Sequence, residues 1–266
     1  MNAERPRPSI ITLTSDFGLS DGYVASMKGV LLGLCPGAEL VDLSHEVPPH
    51  EILPTALILE ATVPYFPPQT VHVVVVDPGV GSRRRALALS SAGHFFVGPD
   101  NGLFTPFLQE EVVTGVVAIE EERFRLRAFS STFHGRDLFA PAAAALARGA
   151  DYASLGPEIA DPVKFPWPHA VLAGDRLVGT VLHVDHFGNC VTSIKESDLP
   201  TWEAYHVRCR EVDFGPLKRH YAEVVSGAPL ALVNSMGRLE LAIAQGNAAV
   251  ALGIRTGDDV TVAPGK

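Results

Sequence analysis

Residues 71–76 read Val-His-Val-Val-Val-Val, and no other stretch restricts the fold as strongly. A strand with one wet face alternates apolar and polar residues, and this one does not. It needs cover on both faces, as in a parallel sheet packed between helices. The preceding segments supply that cover. Residues 10–14 form a short β-rich run. Tyr23, Val24, Met27, Val30, Leu31 and Leu34 then recur at helical spacing, with Ser20 or Asp21 as a start signal and Pro36-Gly37 as a stop. A second β run (39–43) and a second helical pattern (about 51–65) lead into the valines. Strand–helix–strand–helix–strand predicts an α/β layer with a largely parallel sheet flanked by helices.

In such sheets, ligands sit beyond the carboxyl ends of the strands. Asp16, Ser44, His45 and Asp77 fall at those predicted ends. Residues 86–91 and 95–97 read as two more strands joined by Ala92-Gly93, and residues 137–148 as an Ala-rich helix stopped by Gly149. The texture changes after Pro157. Pro162, Pro166 and Pro168 mark a linker, and short β runs follow at 177–184, 190–194, 205–209, 231–234 and 248–254. Gly and Asp turns separate them, which predicts a smaller all-β, barrel-like domain. The expected division is an α/β domain over 1–168 and the β domain over 169–266. Residues 1–8 and the last few residues read as disordered.

Bulk properties narrow the function. The formal net charge is −9, and the one dense basic run is Arg83-Arg84-Arg85. This balance speaks against nucleic acid and anionic membranes as partners, and suits a cationic or zwitterionic small molecule. Three well-separated cysteines (Cys35, Cys190, Cys209) with no CxxC pair speak against a disulfide framework or a zinc site. The start shows no basic-then-apolar leader, and the apolar runs are too short to span a bilayer. A soluble cytoplasmic protein is expected.

Four segments place polar groups where a plain loop needs none. Asp16, in Thr14-Ser15-Asp16-Phe17-Gly18, offers a carboxylate that can accept both hydroxyls of a ribose. As a helix-capping turn the same segment is equally ordinary. Asp77 opens a glycine-bearing loop that runs into three arginines. It matches neither GxxxxGK[ST] nor GxGxxG, and taken alone it fits a turn with a solvated basic patch. His134, in Thr132-Phe133-His134-Gly135-Arg136-Asp137, precedes the Ala-rich helix, whose N-terminus lowers the pKa of a nearby imidazole. Asp185-His186-Phe187-Gly188-Asn189 is normal turn chemistry, although its Asn amide can read an adenine edge. The histidines show no HExxH spacing, and there is no GxSxG elbow, so neither a metal nor a cofactor is expected.

In order along the chain these segments form a series: TLTSDFG (12–18), MKGV (27–30), DLSHEVP (42–48), VDPGVG (76–81), GPDNGL (98–103), TFHGRD (132–137), DHFGN (185–189) and VNSMGRLE (233–240). The series resembles the S-adenosylmethionine (SAM) hydroxide adenosyltransferase family, relatives of the SAM-dependent chlorinase and fluorinase. The resemblance covers nearly the whole chain. It implies an N-terminal α/β domain, a C-terminal β-barrel, and a homotrimer in which SAM binds between the N-terminal domain of one subunit and the C-terminal domain of its neighbour. It implies hydrolysis of SAM to adenosine and methionine, with Asp77, Arg84 and His134 as the catalytic set. It further implies that Asp16 contacts the ribose, that Asp185 and Asn189 contact the methionine and adenine moieties, and that Ser235 and Glu240 lie in the remaining ligand wall. Met236 stands where the halogenase relatives carry Arg. Those relatives also carry Tyr in place of Asp77, so water is favoured over halide as the nucleophile. The alternatives are a SAM halogenase, a SAM- or adenosine-binding protein without turnover, and an unrelated metal hydrolase.

Overall fold

A computed structural model describes residues 9–109, 112–120 and 122–265; the disorder expected at residues 1–8 lies outside them. The chain forms two units, Met1–Phe165 and Pro166–Lys266.

The first unit is built on a six-stranded sheet. Its strands are β1 (Ile10–Ser15), β2 (Glu39–Ser44), β3 (Val71–Val75), β4 (Ala86–Ser91), β5 (His94–Pro99) and β6 (Val113–Ala118), in the order β2-β1-β3-β5-β4-β6. The pairings β1–β2, β1–β3 and β3–β5 are parallel, and β4 pairs antiparallel with both β5 and β6. The sheet is therefore mostly parallel, with β4 the one reversed strand. Ala92-Gly93 makes the tight β4–β5 hairpin, with both residues at positive φ. β6 carries no strong sequence signal, because Gly115 interrupts it and its outer half is only partly buried.

The valine run sits at the centre, and its two faces feed two cores. Val71, Val73 and Val75 pack with Ile11, Leu13, Met27 and Leu31. Val74 and Val76 pack with Leu59, Val63, Leu87, Phe96 and Phe104 on the other side. Full burial of each valine is worth about 1.5–3 kcal/mol. His72, inside the run, bonds Thr12 Oγ1 at 2.8 Å and His94 at 3.2 Å, so its ring nitrogens are satisfied without water.

Helices α1 (Tyr23–Leu34) and α2 (Ile52–Thr62) connect the first three strands, and a 3₁₀ turn, Val63–Tyr65, extends α2. The expected side-chain cap on α1 is absent: Gly22 holds the cap position, and neither Ser20 nor Asp21 closes the helix. Helix α3 (Ala140–Ala147) is entered through a π-helical turn, Gly135–Phe139. Its alanines at 142–144 are fully buried, and such short side chains let the helix lie close to α1 and β3.

The second unit is a barrel. Its strands are β7 (Val171–Ala173), β8 (Arg176–Val184), β9 (Cys190–Lys195), β10 (Tyr205–Cys209), β11 (Val212–Lys218), β12 (Pro229–Val233), β13 (Arg238–Ile243) and β14 (Asp259–Pro264). They run β14-β10-β11-β12-β13-β9-β8-β7, and β14 also pairs with β8, which closes seven strands into a ring. Closure leaves no open edge within the seven-stranded ring, and β7 pairs with β8 outside it.

Two expectations fail here. Residues 248–254 are not a strand. They contain helix α4 (Ala248–Leu252), because Asn247 caps Val250 N–H at 2.8 Å and Gly253 ends the helix at φ 65°. Capping chemistry overrode the apolar run. Of the last few residues, expected to be disordered, Pro264 ends β14, which lies between β10 and β8, and Lys266 lies outside the described residues. Among the described residues, no helix is long and apolar enough to cross a membrane.

Candidate active site

The carboxyl ends of three adjacent parallel strands converge at one edge of the first sheet. Ser15 of β1 is in register with Val75 of β3, and Thr14 with Ser44 of β2. Asp16, His45 and Asp77 therefore all leave the sheet at the same edge. Ser15 Oγ lies 2.7 Å from His45 Nδ1, which fixes that buried ring beside the strand end. Asp16 Oδ2 accepts the His50 backbone N–H at 2.9 Å. At the next parallel strand, Asn101 donates to Val76 O at 2.9 Å and ties the turn after β5 to the backbone just before Asp77.

Asp77 and Arg84 form the centre. Arg84 Nε donates to both oxygens of Asp77, at 2.9 and 3.0 Å, and Nη2 donates to Oδ2 as well. Nη2 also donates to His134 Nδ1 at 2.7 Å. The side chains of Asp77 and Arg84 are 5% and 10% exposed, so the pair is held away from water, where an ionic hydrogen bond is stronger. One guanidinium thus bridges a carboxylate and an imidazole that lie 57 positions apart in the chain.

Local structure explains the convergence. Gly81 has φ 77°, and a Cβ there would meet Ser131 O at 2.9 Å. The arginine loop consequently lies directly on the segment that carries His134. A Cβ on Gly135 would meet Met27 Sδ at 3.0 Å and Val75 Cγ1 at 3.3 Å, so the π turn lies close on α1 and β3, and a larger residue would push those side chains aside. Asp137, fully buried, accepts Ser130 N–H at 2.7 Å and pairs with Arg136, which pins the loop before His134. Of the three consecutive arginines, Arg84 alone reaches Asp77. Arg85 pairs with Asp100 and Asp161, and Arg83 is exposed.

Burial pushes the His134 pKa below the ordinary imidazole value. The guanidiniums of Arg84 and Arg125 push it the same way, against the opposing pull of Asp77 and Asp137. The ring is therefore neutral at pH 7. Because Nδ1 accepts from Arg84, the proton of the neutral ring belongs on Nε2. A cleft of about 400 Å³ opens beside this cluster, lined in part by Arg84, Arg125, Phe129, Ser131 and His134.

The other sequence candidates lie in the barrel. Asp185 Oδ1 accepts Phe187 and Asn189 N–H at 2.9 and 2.8 Å, so it organises its own turn. Asn189 is nearly buried beside it. Glu240 is also buried, accepting Tyr221 O–H at 2.6 Å and Asn234 Nδ2 at 3.1 Å. Ser235 is exposed on the β12–β13 turn and makes no side-chain hydrogen bond among the described residues. Within each unit, then, the structure joins Asp77, Arg84 and His134, and separately joins Asp185 with Asn189. Glu240 is joined instead to Tyr221 and Asn234. Sequence reasoning missed Arg125, Phe129 and Tyr221, which lie outside the eight segments. Asn234 stands inside one of them, next to Ser235. Among the described residues, no group of three or more His, Cys, Asp or Glu side chains is arranged to hold a metal ion.

Comparison with known proteins meets this geometry. Residues 11–156 match the SAM hydroxide adenosyltransferase N-terminal domain, and residues 179–261 match the C-terminal domain of the same family. A protein from Thermus thermophilus named (R)-S-adenosyl-L-methionine hydrolase is 41% identical, with 91% of this chain and 95% of that protein aligned. One of the same name from Salinispora tropica is 40% identical, over 96% and 98%. A fluorinase from Nocardia brasiliensis is more distant, at 29% identity over 99% of each chain. The crystal structure of an uncharacterized conserved protein from Thermotoga maritima superposes with a TM-score of 0.87 at 33% identity, covering 96% of this chain and 99% of that one.

Proposed function

The chain belongs to the SAM hydroxide adenosyltransferase family, and on that premise we propose that it is a hydrolase converting SAM and water to adenosine and L-methionine, with Asp77, Arg84 and His134 as its catalytic set. The observation that carries the assignment of these residues is the continuous bridge from Asp77 through Arg84 to His134 at the carboxyl end of a buried parallel strand.

The chemistry follows from the charges. The C5′ carbon of SAM is bonded to a sulfonium. Water oxygen attacks C5′ in line, the C5′–S bond breaks, and its electron pair stays on sulfur. Methionine leaves as a neutral thioether, so the leaving group needs no acid. The attacking oxygen becomes acidic as it bonds to carbon and must release one proton. His134 Nδ1 is occupied by an Arg84 N–H, so His134 meets the water as an Nε2–H donor. Asp77 accepts three hydrogen bonds from Arg84, and a carboxylate has about four acceptor sites. The remaining site takes the proton of the attacking water. Arg84 acts by holding both partners in one geometry. Positioning of this kind accounts for up to about 7–11 kcal/mol of barrier lowering in favourable cases.

In this reading Asp16 holds the ribose diol. Asp185, Asn189 and Ser235 belong to the substrate-binding surface of the barrel, and Glu240 acts through Asn234 and Tyr221. The enzyme works in the cytoplasm as a homotrimer, without metal or cofactor. Its partner is the small molecule, with neither nucleic acid nor membrane involved. The test is chromatography of products from SAM in metal-free buffer, with and without chloride. Adenosine plus methionine under both conditions is the expected result. A 5′-chlorinated nucleoside with chloride, or tight SAM binding with no product, would overturn it. Light scattering of the purified protein should return three times the 28.4 kDa subunit mass.

A further inference from the structure

His134 is gripped from a side that the catalytic set does not include. The Phe129 ring lies 5.2 Å from the His134 ring at an interplanar angle of 34°. The Arg125 guanidinium carbon sits 5.6 Å from the Phe129 ring centre. The three side chains form a stack along the wall of the cleft beside Arg84. Arg125 is anchored by an Nη2 hydrogen bond to Glu120 O at 3.1 Å, and its Nε is buried without a hydrogen-bond partner among the described residues. Phe129 is 42% exposed, so hydrophobic burial alone does not account for its place.

The charges around His134 point the same way. Four charged groups act on it electrostatically: Arg84, Asp77, Arg125 and Asp137. Asp77 is paired with Arg84, and Asp137 with Arg136. Arg125 makes no ion pair among the described residues, whereas the other three charges are paired. A cation near an imidazole disfavours its protonated form.

We infer that Arg125 and Phe129 are positioning residues for His134, the ring fixing the plane of the imidazole and the guanidinium holding it in the neutral form that accepts from Arg84. Were His134 to gain a proton on Nδ1, it would lose the Arg84 hydrogen bond, and the bridge to Asp77 would break. The inference rests on the proposed role of His134 in SAM hydrolysis, and its first test is independent of turnover.

That test is an NMR titration of the His134 ring, assigned with His134→Asn, in the wild type and in Arg125→Gln, Arg125→Lys, Phe129→Ala and Phe129→Tyr. The wild-type midpoint should lie below 6.5. Arg125→Gln should raise it, while Arg125→Lys should restore it. Phe129→Ala should remove the ring-current shift of the His134 signals, and Phe129→Tyr should keep it. The second readout is turnover. In Arg125→Gln, the acidic limb of kcat should move to higher pH, with kcat at pH 8 close to that of the wild type and KM for SAM within about twofold. An unchanged His134 titration in Arg125→Gln, or a kcat loss of the same size at every pH, overturns the inference. Loss of wild-type hydrolysis together with the expected titration shifts would instead overturn the functional reading and leave the stack intact.

Discussion

At the scale of single residues, the bridge between Asp77 and His134 depends on the branched shape of one guanidinium. Nε and Nη2 of Arg84 bind the carboxylate while Nη2 also reaches the imidazole. Lysine carries the same charge on a single nitrogen and cannot span both partners. Arg84→Lys is expected to lower kcat by about 10²-fold or more with a smaller change in KM, and Asp77→Asn by about 10²–10⁴-fold, the usual contribution of one acid–base group. Steady-state kinetics on the two variants checks this. The pH dependence has a definite sign. The pKa of His134 is depressed, so the neutral form required by the bridge persists as pH falls through 6.5 and is lost only below it. The acidic limb of kcat should therefore lie below pH 6.5, and an inflection at or above that value would contradict the neutral imidazole. Sequence alone named the three residues through their resemblance to a family. It carried no reason why Arg84, rather than Arg83 or Arg85, faces Asp77. That choice comes from Asp100 and Asp161, which capture Arg85.

At the scale of elements, caps and turns decide what hydrophobic pattern does not. The run 248–254 is apolar enough to read as a strand, yet Asn247 and Gly253 make it a short helix. Asn247→Ala should cost the barrel about 1 kcal/mol, the typical worth of an N-cap, read as a lower midpoint in urea unfolding. The entry to α3 is the more consequential case. A π turn is a frequent mark of functional sites. Here it places His134 one residue before a glycine that nests on Met27 and Val75. Asp137 holds the approach loop through Ser130 and Arg136, and its removal would leave the half-buried Ser130 N–H and the Arg136 guanidinium without that partner. Asp137→Ala should destabilise the first unit by about 2–4 kcal/mol and reduce kcat through misplacement of His134. A stability change below about 0.5 kcal/mol in thermal unfolding would show that the loop has other supports.

At the scale of the whole chain, two units with separate cores should respond differently to acid. His72 is fully buried between Thr12, His94 and Phe96, and burial holds its pKa down to about 3. Its unfolded value is near 6.5, so between those limits the unfolded chain binds the extra proton. Stability contributed by the neutral ring is complete above pH 6.5 and is lost as pH falls toward 3. Depressed values at His94 and His183 add in the same direction. The first unit, which holds His72 and His94, should lose on the order of a few kcal/mol across that window, more than the barrel does. Unfolding followed at pH 7.5 and pH 5 checks the order, and substituting His72 with Leu should flatten the slope.

Periodicity and punctuation settled much of this architecture in advance. A valine run without alternation requires cover on both faces, and it receives Ile11, Leu13 and Met27 on one side and Leu59, Phe96 and Phe104 on the other. Alternating strand and helix signals placed Asp16, His45 and Asp77 at strand ends, because local pattern alone determines where a strand stops. The strands β6, β7, β11, β13 and β14 stayed hidden, because pairing with neighbouring strands stabilises them more than any propensity of their own. The chemistry depended on tertiary structure entirely. A hydrogen bond from Arg84 to His134 joins residues 50 positions apart, and the stack of Arg125 on Phe129 draws on side chains with no motif to announce them. Such contacts form only once the sheet, the glycine turns at 81 and 135 and the buried Asp137 have brought two loops to one place. Sequence pattern records which residues prefer strand, helix or turn. Distance and orientation between residues far apart in the chain arise only in the packed molecule.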